Sequence, residues 1–536
     1  MKRYLLGIDI GTSACKAAIF ERDGAVAAAG AGEYPVYYPH QGWAEQDPRD
    51  WWSGVCMAVR QALERGGIDP NEIAGIGIDG QSWSAVAVDR EGRSLCNTPI
   101  WMDTRAKDIC DRINERLNGA DSADGNSENV QEIGQLSGQR PELCSENRIG
   151  RDVIFELAGN SLQPSYTTAK ILWYQENRPE VYGQIHQILQ SNSYIAFRLT
   201  GVFSQDVSQG YGLHCFDMHT GTWDLDMCEK LGIPSEFLPP IYPCDTVIGT
   251  VTEAAARETG LAAGIPVVAG GLDAACGALG TGVLHDGETQ EQGGQAGGMS
   301  ICTDTYRADP RLILSYHVVP GKWLLQGGTT GGGGVMRWIE KEFAGYERLM
   351  SEKTGRSSLE QLNEIAETVP AGSDGLVFLP YMSGERSPIW DVNAKGVFYG
   401  LDFAKTKGHM VRAAMEGVAF SLRHNLEVAE KAGARAKVLR AMGGSANSLL
   451  WTQIKSDVTG KPIVVPSSDT ATTLGAAILA GVGTGFYADY EEAVALTVRE
   501  TRRHEPNPEN QEIYQKSYDT YLALYENLKD LMAKEN

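Results

Sequence analysis

Two aspartates at strand ends and a turn carrying hydroxyls are the residues of this chain best suited to chemistry. Residues 5–20 read Leu-Leu-Gly-Ile-Asp-Ile-Gly-Thr-Ser-Ala-Cys-Lys-Ala-Ala-Ile-Phe. An apolar strand ends in Asp9, a tight turn follows with Gly11, Thr12 and Ser13 at its tip, and a second strand runs to Phe20. Backbone N–H groups and two hydroxyls at such a turn suit phosphate oxygens. A nearby carboxylate suits a hydrated Mg²⁺ beside that phosphate. The plain alternative is an ordinary hairpin in which Asp9 only accepts turn hydrogen bonds. The second aspartate, Asp273, ends the apolar run Pro266–Leu272 among Gly270, Gly271, Ala274 and Ala275. Small neighbours allow a substrate close approach, and the same position suits a helix N-cap. Both roles can hold at once.

The elements that must position these residues follow a repeated plan. Asp23-Gly24 turns the opening hairpin into a third strand, and Pro48–Arg65 places Trp51, Trp52, Val55, Val59 and Leu63 at helical spacing. Ile73–Asp79 reads as a strand, with Gly80–Ser84 turning it back into Ala85–Asp89 as a second hairpin. Helices are expected over 107–117, Thr168–Gln175 and Ser191–Leu199, and 118–150 is polar and loop-like. Pro239, Pro240 and Pro243 mark a boundary. Beyond it, the strand ending in Asp273, the glycine-rich turn and strand of Gln290–Cys302, strands Lys437–Met442 and Ile463–Pro466, and the helix Thr472–Val482 repeat the order of the first half. Tyr514, Tyr518, Tyr521, Tyr525 and Leu528 share one face of a last helix expected to pack on the body.

Composition narrows the partners. The chain has 536 residues, too many for one ordinary core, so two to four domains are expected. Its formal charge of −22 argues against a nucleic-acid backbone as partner and leaves ATP open, because a nucleotide site needs only local donors. No stretch is apolar for long enough to span a bilayer, and no signal-peptide pattern opens the chain. Ten scattered cysteines without a C-x-x-C pair read as free thiols in a reducing cytoplasm, and the histidine spacings do not suggest a structural zinc site.

From Gly396 the sequence runs Gly-Val-Phe-Tyr-Gly-Leu, seven residues, then His409-Met-Val-Arg-Ala-Ala-Met-Glu416. This resembles the signature of the FGGY carbohydrate kinases. Ser165–Glu176 resembles their second signature, with Tyr174 where an aliphatic residue is usual. Trp101-Met-Asp103-Thr-Arg105, Gly384-Glu385-Arg386-Ser-Pro388, Gly443-Gly-Ser-Ala446 and Leu474-Gly-Ala-Ala477 follow in the family's order. Pro39–Trp52 and the overall layout look most like xylulokinases. The resemblance implies an α/β fold of two actin-like, ribonuclease-H-like domains with an interdomain cleft. We expect residues 1–248 to bind sugar and 249–536 to bind ATP.

It also implies roles. Asp273 is the expected general base and contacts the sugar, since transfer from ATP needs positioning and a carboxylate to take the hydroxyl proton. Asp9 is expected on Mg²⁺, and Thr12 and Ser13 on the ATP phosphates. Lys16 reads as a solvated strand lysine. Gln81, Trp83, Asp103 and Arg105 are expected at the sugar, although Trp83-Ser84 replace a usual Met-His and Trp83 also suits a core. Gly443, Gly444 and Asn447 are expected at adenine and ribose, or as a structural turn. The family's Gly-Thr phosphate pair is absent; Gly294 and Gln295, within Gln292–Gly298, stand in its place. Gly331 lies in the glycine run 327–334, which suits a nucleotide contact or a hinge. The expected reaction is ATP-dependent phosphorylation of D-xylulose to D-xylulose 5-phosphate. Gluconate, ribulose, a polyol or another ketose are the alternatives, and a non-catalytic nucleotide-gated sugar sensor is the rival reading. Expected partners are the sugar and ATP, with a homodimer allowed.

Overall fold

The computed structural model describes residues 2–113, 151–467 and 470–534. Expectations for 118–150 and Cys144 lie outside the described residues; helix is present from 107 to 113. Two seven-stranded sheets carry the chain.

The first sheet is built from β1 (Tyr4–Ile10), β2 (Ala14–Phe20), β3 (Val26–Glu33), β4 (Ile73–Gly80), β5 (Val247–Thr250), β6 (Pro266–Val268) and β7 (Gly271–Leu272). β1, β2 and β3 form an antiparallel meander, and β4 lies parallel to β1. Every residue of β1 and β4 is buried, as expected of central parallel strands covered on both faces. Outer strand β3 instead alternates buried and exposed. Helix α1 (Pro48–Gly66) starts at an Asp47 cap that accepts from the Arg49 N–H and ends at left-handed Gly67. It lays Trp51, Val55 and Val59 on β2 and β3.

The second sheet contains β8 (Glu288–Gly293), β9 (Gly297–Thr303), β10 (Ile313–Tyr316), β11 (Trp323–Thr329), β12 (Val438–Met442), β13 (Ile463–Pro466) and β14 (Glu500–His504). Strands β8, β9 and β11 make the meander, β12 and β13 add in parallel, and β14 closes the edge antiparallel. The first sheet has the same plan: meander, two parallel strands, antiparallel edge. β10 is an addition beside β11. The element order read from the sequence is therefore a true duplication.

Three expectations change. The second hairpin does not form: Val86–Val88 pairs with Gln187–Leu189, not with β4. The reason is the 80–84 turn, whose Gln81 carbonyl accepts from Ser191 Oγ and whose Trp83 takes a left-handed φ of 58°. The apolar run before Asp273 is two short strands, broken at Gly270 (φ 80°), where a Cβ would lie 2.0 Å from the Ile78 carbonyl oxygen. The boundary expected between 248 and 249 falls inside β5, and the first sheet continues to Leu272.

Helices α2 (Asp273–Gly280), α3 (Gly333–Phe343) and α4 (Ala471–Gly483) complete the frame around the site. α4 comes from the second half of the chain yet packs on α2, β1 and β4. The contact is backbone to backbone: a Cβ at Gly77 would sit 1.8 Å from the Ala476 carbonyl oxygen. The last helix, Gln511–Ala533, buries Tyr514, Tyr518 and Tyr521 in the second-half core.

Candidate active site

Strands β1, β4 and β7 run parallel and end together. Register places Asp9 beside Asp79, Asp79 beside Gly271, and Gly80 beside Leu272. Asp273 is the next residue and opens α2, its carboxylate accepting the Ala274 N–H at 2.6 Å. Three carboxyl groups thus gather at the C-terminal end of a parallel sheet, where α/β folds place ligands. Asp79 is fully buried and neither oxygen finds a donor; its contact is the Asp9 carboxyl itself. Burial pushes Asp79 well above the usual carboxylate range, and the charges of Asp9 and Asp273 add to that. Burial also raises Asp9, with Lys16, 3.9 Å away, acting against it. Asp273 is pushed up to about 7, first by burial and then by the charge of Asp9. A carboxyl poised there can hold or release a proton near neutral pH.

Two orphaned oxygens beside a second carboxyl fit a cation. Mg²⁺ takes one or two carboxylates and completes its shell with water and substrate phosphate. Among the described residues no cluster of three or more His, Cys, Asp or Glu could hold a metal. Asp9 and Asp79 therefore suit a cation that arrives with phosphate. The turn Gly11–Ser13 beside them is tied down on several sides. The Thr12 hydroxyl accepts from Trp101 Nε1 at 3.0 Å, its carbonyl accepts from Gln46 Nε2 at 2.8 Å, and Tyr34 O–H donates to the Gly11 carbonyl at 2.7 Å. Ser13 is exposed at the tip. Lys16 has a largely exposed side chain.

Gln46 also links the turn to the wall formed by residues 81–84, its Oε1 accepting from Gln81 Nε2 at 2.8 Å. On that wall Gln81 Oε1, Trp83 Nε1 and Ser84 Oγ are buried without partners. Trp83 stacks on Tyr166 with centroids 4.3 Å apart and meets Tyr211 edge-on. Buried unpaired polar atoms cost stability unless a ligand satisfies them. The sequence missed what holds this wall. Lys170 is fully buried and donates to the carbonyls of Trp83 and Ile100 at 2.7 and 2.8 Å, so it fixes the strained residue; burial lowers its pKa to about 7. Behind Asp273, the buried Asp206 accepts from Ser208 Oγ at 2.5 Å, and Ser208 accepts the Leu272 N–H at 2.9 Å. No short motif marked Asp79, Asp206 or Ser208; strand register brings in Asp79, and the hydrogen bonds to the Leu272 N–H bring in Ser208 and Asp206.

Asp103 and Arg105 stand differently from the other sugar candidates. Both Asp103 oxygens accept hydrogen bonds, from the Ala44 N–H and from Arg105. Arg105 also pairs with Glu45 at 2.7 Å and lies over Trp43 and Trp173, 3.9 and 4.8 Å from their centroids. Their charges are taken up by one another.

In the second half a cavity of about 430 Å³ is lined by Gly294, Gly333, Met336, Met415, Gly444, Asn447 and Trp451, among others. That volume suits a small-molecule ligand. Gly294, Gly444 and Asn447 are among its lining residues. Gly443, with φ 84°, turns the chain beside it. Gln295 contributes through its carbonyl, which accepts the Gly334 N–H at the start of α3. Gly331 packs against Pro380, where a Cβ would lie 2.5 Å from the carbonyl oxygen. Lys455, unforeseen, is buried and braces Glu291 at 2.6 Å and Ser445 Oγ at 2.7 Å beneath the cavity. All lining residues belong to the second half, whereas Thr12 and Ser13 belong to the first. Thr472 of α4 joins the two, donating to Asp9 at 3.2 Å.

Duplicated sheets with carboxylates at the strand ends of one and a glycine-lined cavity in the other define a two-domain actin-like, ribonuclease-H-like phosphotransferase. The chain belongs to the FGGY family of carbohydrate kinases: the family's N-terminal domain matches residues 4–133 and 141–280, and its C-terminal domain 263–484. It is 28% identical over 531 residues to the xylulose kinase of Bacillus subtilis (strain 168), covering 99% of this chain and 98% of that one. It is 31% identical over 531 residues to the autoinducer-2 kinase of Yersinia pseudotuberculosis serotype O:3 (strain YPIII), covering 97% and 94%. The crystal structure of gluconate kinase from Lactobacillus acidophilus superposes with a TM-score of 0.86 at 26% identity, covering 99% of each chain. This protein is a sugar kinase, transferring a phosphoryl group to an alcohol. Among the described residues no helix is long and apolar enough to cross a membrane.

Proposed function

We propose that the protein phosphorylates a neutral ketose, D-xylulose, from ATP with Mg²⁺. The observation carrying this is the sugar wall. Gln81, Trp83 and Ser84 offer uncharged, unpartnered polar atoms, while the nearby cations Lys170 and Arg105 are already engaged. Such a wall suits hydroxyls and leaves a sugar carboxylate without a counter-ion. The resemblance to xylulose kinases supports the same choice.

In the proposed reaction the sugar hydroxyl oxygen bonds to the γ-phosphorus as the bond to the β-bridging oxygen breaks. ADP leaves with that electron pair, and the hydroxyl proton goes to Asp273. The terminal phosphate meets the Gly11–Ser13 turn, and the base and ribose enter the cavity beside Gly444 and Asn447. Asp9 and Asp79 would hold Mg²⁺, which would supply charge neutralisation at the phosphates. Gln81 and Trp83 touch the sugar; Asp103 and Arg105 brace the wall behind it. Residues up to Gly280, through α2, form the sugar-side domain and the following chain the nucleotide-side domain, with α4 crossing between them.

ADP release measured across D-xylulose, D-ribulose, erythritol, D-gluconate and autoinducer-2 tests the reading. The expected result is the highest kcat/KM for D-xylulose. A preference for gluconate would overturn the neutral-wall argument, and no sugar-dependent ADP release would overturn the reaction.

A further inference from the structure

The loop Gly384–Pro388 carries a cation that the sugar and nucleotide assignments leave unused. It is clamped to β11: the Ser387 N–H donates to the Gly328 carbonyl at 3.0 Å, and Asn425 Nδ2 donates to the Ser387 carbonyl at 3.1 Å. The adjoining Glu385 is spent on its surroundings. Its Oε1 accepts the N–H groups of Thr330 and Arg386, at 2.7 and 2.8 Å, and its Oε2 accepts from Ser421 Oγ at 3.3 Å. The Arg386 guanidinium, by contrast, makes no hydrogen bond or ion pair among the described residues. It is part-buried, and burial lowers its pKa. Room for it comes from Gly328, where a Cβ would lie 3.0 Å from Nη2 and 3.1 Å from Cζ.

Its position bears on the reaction. The guanidinium carbon lies 5.7 Å from the centre of the Trp101 ring. The same indole donates its N–H to the Thr12 hydroxyl in the phosphate turn. One tryptophan of the first domain therefore has the phosphate turn at its edge and an arginine of the second domain at its face. The carboxylate side of the site gathers Asp9, Asp79 and Asp273, with the largely exposed Lys16 beside Asp9. A phosphoryl group in flight spreads negative charge over three oxygens and needs donors opposite such carboxylates. A guanidinium offers paired N–H groups in a plane that matches them.

We propose that Arg386 is a catalytic residue: it donates to the oxygens of the phosphoryl group as that group passes from ATP to the sugar. The second domain then contributes more than the nucleotide cavity, and approach of the two domains completes the charge balance. This rests on the kinase reading above. In that transfer Arg386 gains and loses no proton; the new P–O bond, the departing ADP and the proton on Asp273 are as already written.

The test compares wild type with Arg386→Gln and Arg386→Lys. Three quantities are read: kcat for sugar-dependent ADP release, affinity for ADP alone, and affinity for ADP with aluminium fluoride, Mg²⁺ and sugar, a mimic of the group in flight. Arginines in this role are worth roughly 10³–10⁵-fold in kcat. The glutamine variant is expected to lose at least about 10³-fold in kcat and most of the tightening by aluminium fluoride. Its affinity for ADP alone stays within about threefold, an interval well under one factor of ten. Lysine keeps the charge without the fork and recovers part of kcat, and added guanidinium ion at non-denaturing concentration partly rescues the glutamine variant. If the glutamine variant does not fold, the lysine variant decides: full wild-type kcat overturns the proposal. A glutamine variant with kcat within tenfold of wild type, equal loss of ADP affinity, or an effect confined to the KM of gluconate also overturns it. A wild-type enzyme inactive on every sugar brings down the kinase reading and this proposal with it, and is told apart because it shows before any variant is made.

Discussion

Asp273→Asn separates chemistry from stability in opposite directions. The carboxyl of Asp273 titrates at about 7 in the folded protein against an ordinary 3.8, burial being the larger cause and Asp9 the second. Between those values the folded protein holds a proton that the unfolded chain has released. The stabilisation from protonated Asp273 is therefore fully present below about 3.8 and is lost as pH rises to about 7. At about 1.4 kcal/mol per pH unit the loss is roughly 2 kcal/mol at pH 5 and roughly 4 kcal/mol at pH 8. Asparagine cannot ionise and keeps the protonated form's shape, so it escapes this loss. Denaturant unfolding with metal chelated is expected to show the variant gaining stability over wild type from pH 4 to pH 8, by up to about 4 kcal/mol. The other raised carboxyls, Asp9, Asp79, Asp206, Glu385 and Glu416, are present in both proteins and cancel to first order. Loss of the proton acceptor costs about 10²–10⁴-fold in kcat, while ADP affinity holds because the cavity is unchanged. A residue that only begins a helix makes another forecast, since Asn serves as well at a helix start and activity would barely fall. A variant retaining more than about a tenth of wild-type kcat would refute the base assignment. A pH-independent stability difference would refute the dry-carboxylate argument behind it.

Other perturbations test the supports of the site. Trp83→Phe removes an indole N–H that has no protein acceptor, so folding stability should hold while kcat/KM for the sugar falls about fivefold to tenfold, the worth of one hydrogen bond; unchanged kcat/KM would return Trp83 to the core. Lys170→Met frees the carbonyls of Trp83 and Ile100, and the expected outcome is a raised sugar KM with ADP affinity intact, read by steady-state kinetics and calorimetry. Ser208→Ala cuts the link from Asp206 to the Leu272 N–H and should cost about 1–3 kcal/mol in denaturant unfolding together with a lower kcat. If the two domains close on their ligands, small-angle scattering with sugar and a non-hydrolysable ATP analogue should show a smaller radius of gyration; no compaction at saturation would count against closure.

Much of the plan was legible because local chemistry and tertiary role agree. The continuous apolar run of β1, the Asp47-Pro48 start of α1 and the strand end before Asp273 each declare themselves within a few residues. The mistaken second hairpin shows where such reading stops. Residues 80–84 are turn-like, but the Gln81 carbonyl is held by Ser191 and the Trp83 carbonyl by Lys170, about a hundred residues away, so the returning strand leaves β4. Asp79 escaped notice for a related reason. It stands in an ordinary strand ending and becomes chemical only because register sets it beside Asp9 and before Asp273. Asp103 and Arg105 show the converse: a recognisable motif whose charges the fold spends on each other and on Glu45.

Charge accounts for why the site needs both halves of the chain. The first domain by itself concentrates three carboxyls in a place dry enough to raise all three pKa values, and that arrangement repels a phosphate chain. The same dryness keeps Asp273 able to take a proton near neutral pH. A corner built only to bind ATP would use cations; one built to accept a proton beside ATP must tolerate carboxylates and recover neutrality from elsewhere. On the proposed reading, backbone N–H groups of the Gly11–Ser13 turn would supply part of it, a divalent cation on Asp9 and Asp79 a larger part, and Arg386, which lies against Trp101, the remainder. Coupling follows from this division. On that reading the proton acceptor and the arginine belong to separate domains, joined through α4. Gln46 ties Gln81 to the Gly11–Ser13 turn, so a sugar bound at Gln81 and Trp83, as proposed, would be felt at that turn. Transfer to sugar rather than to water would then be a property of the cleft once closed.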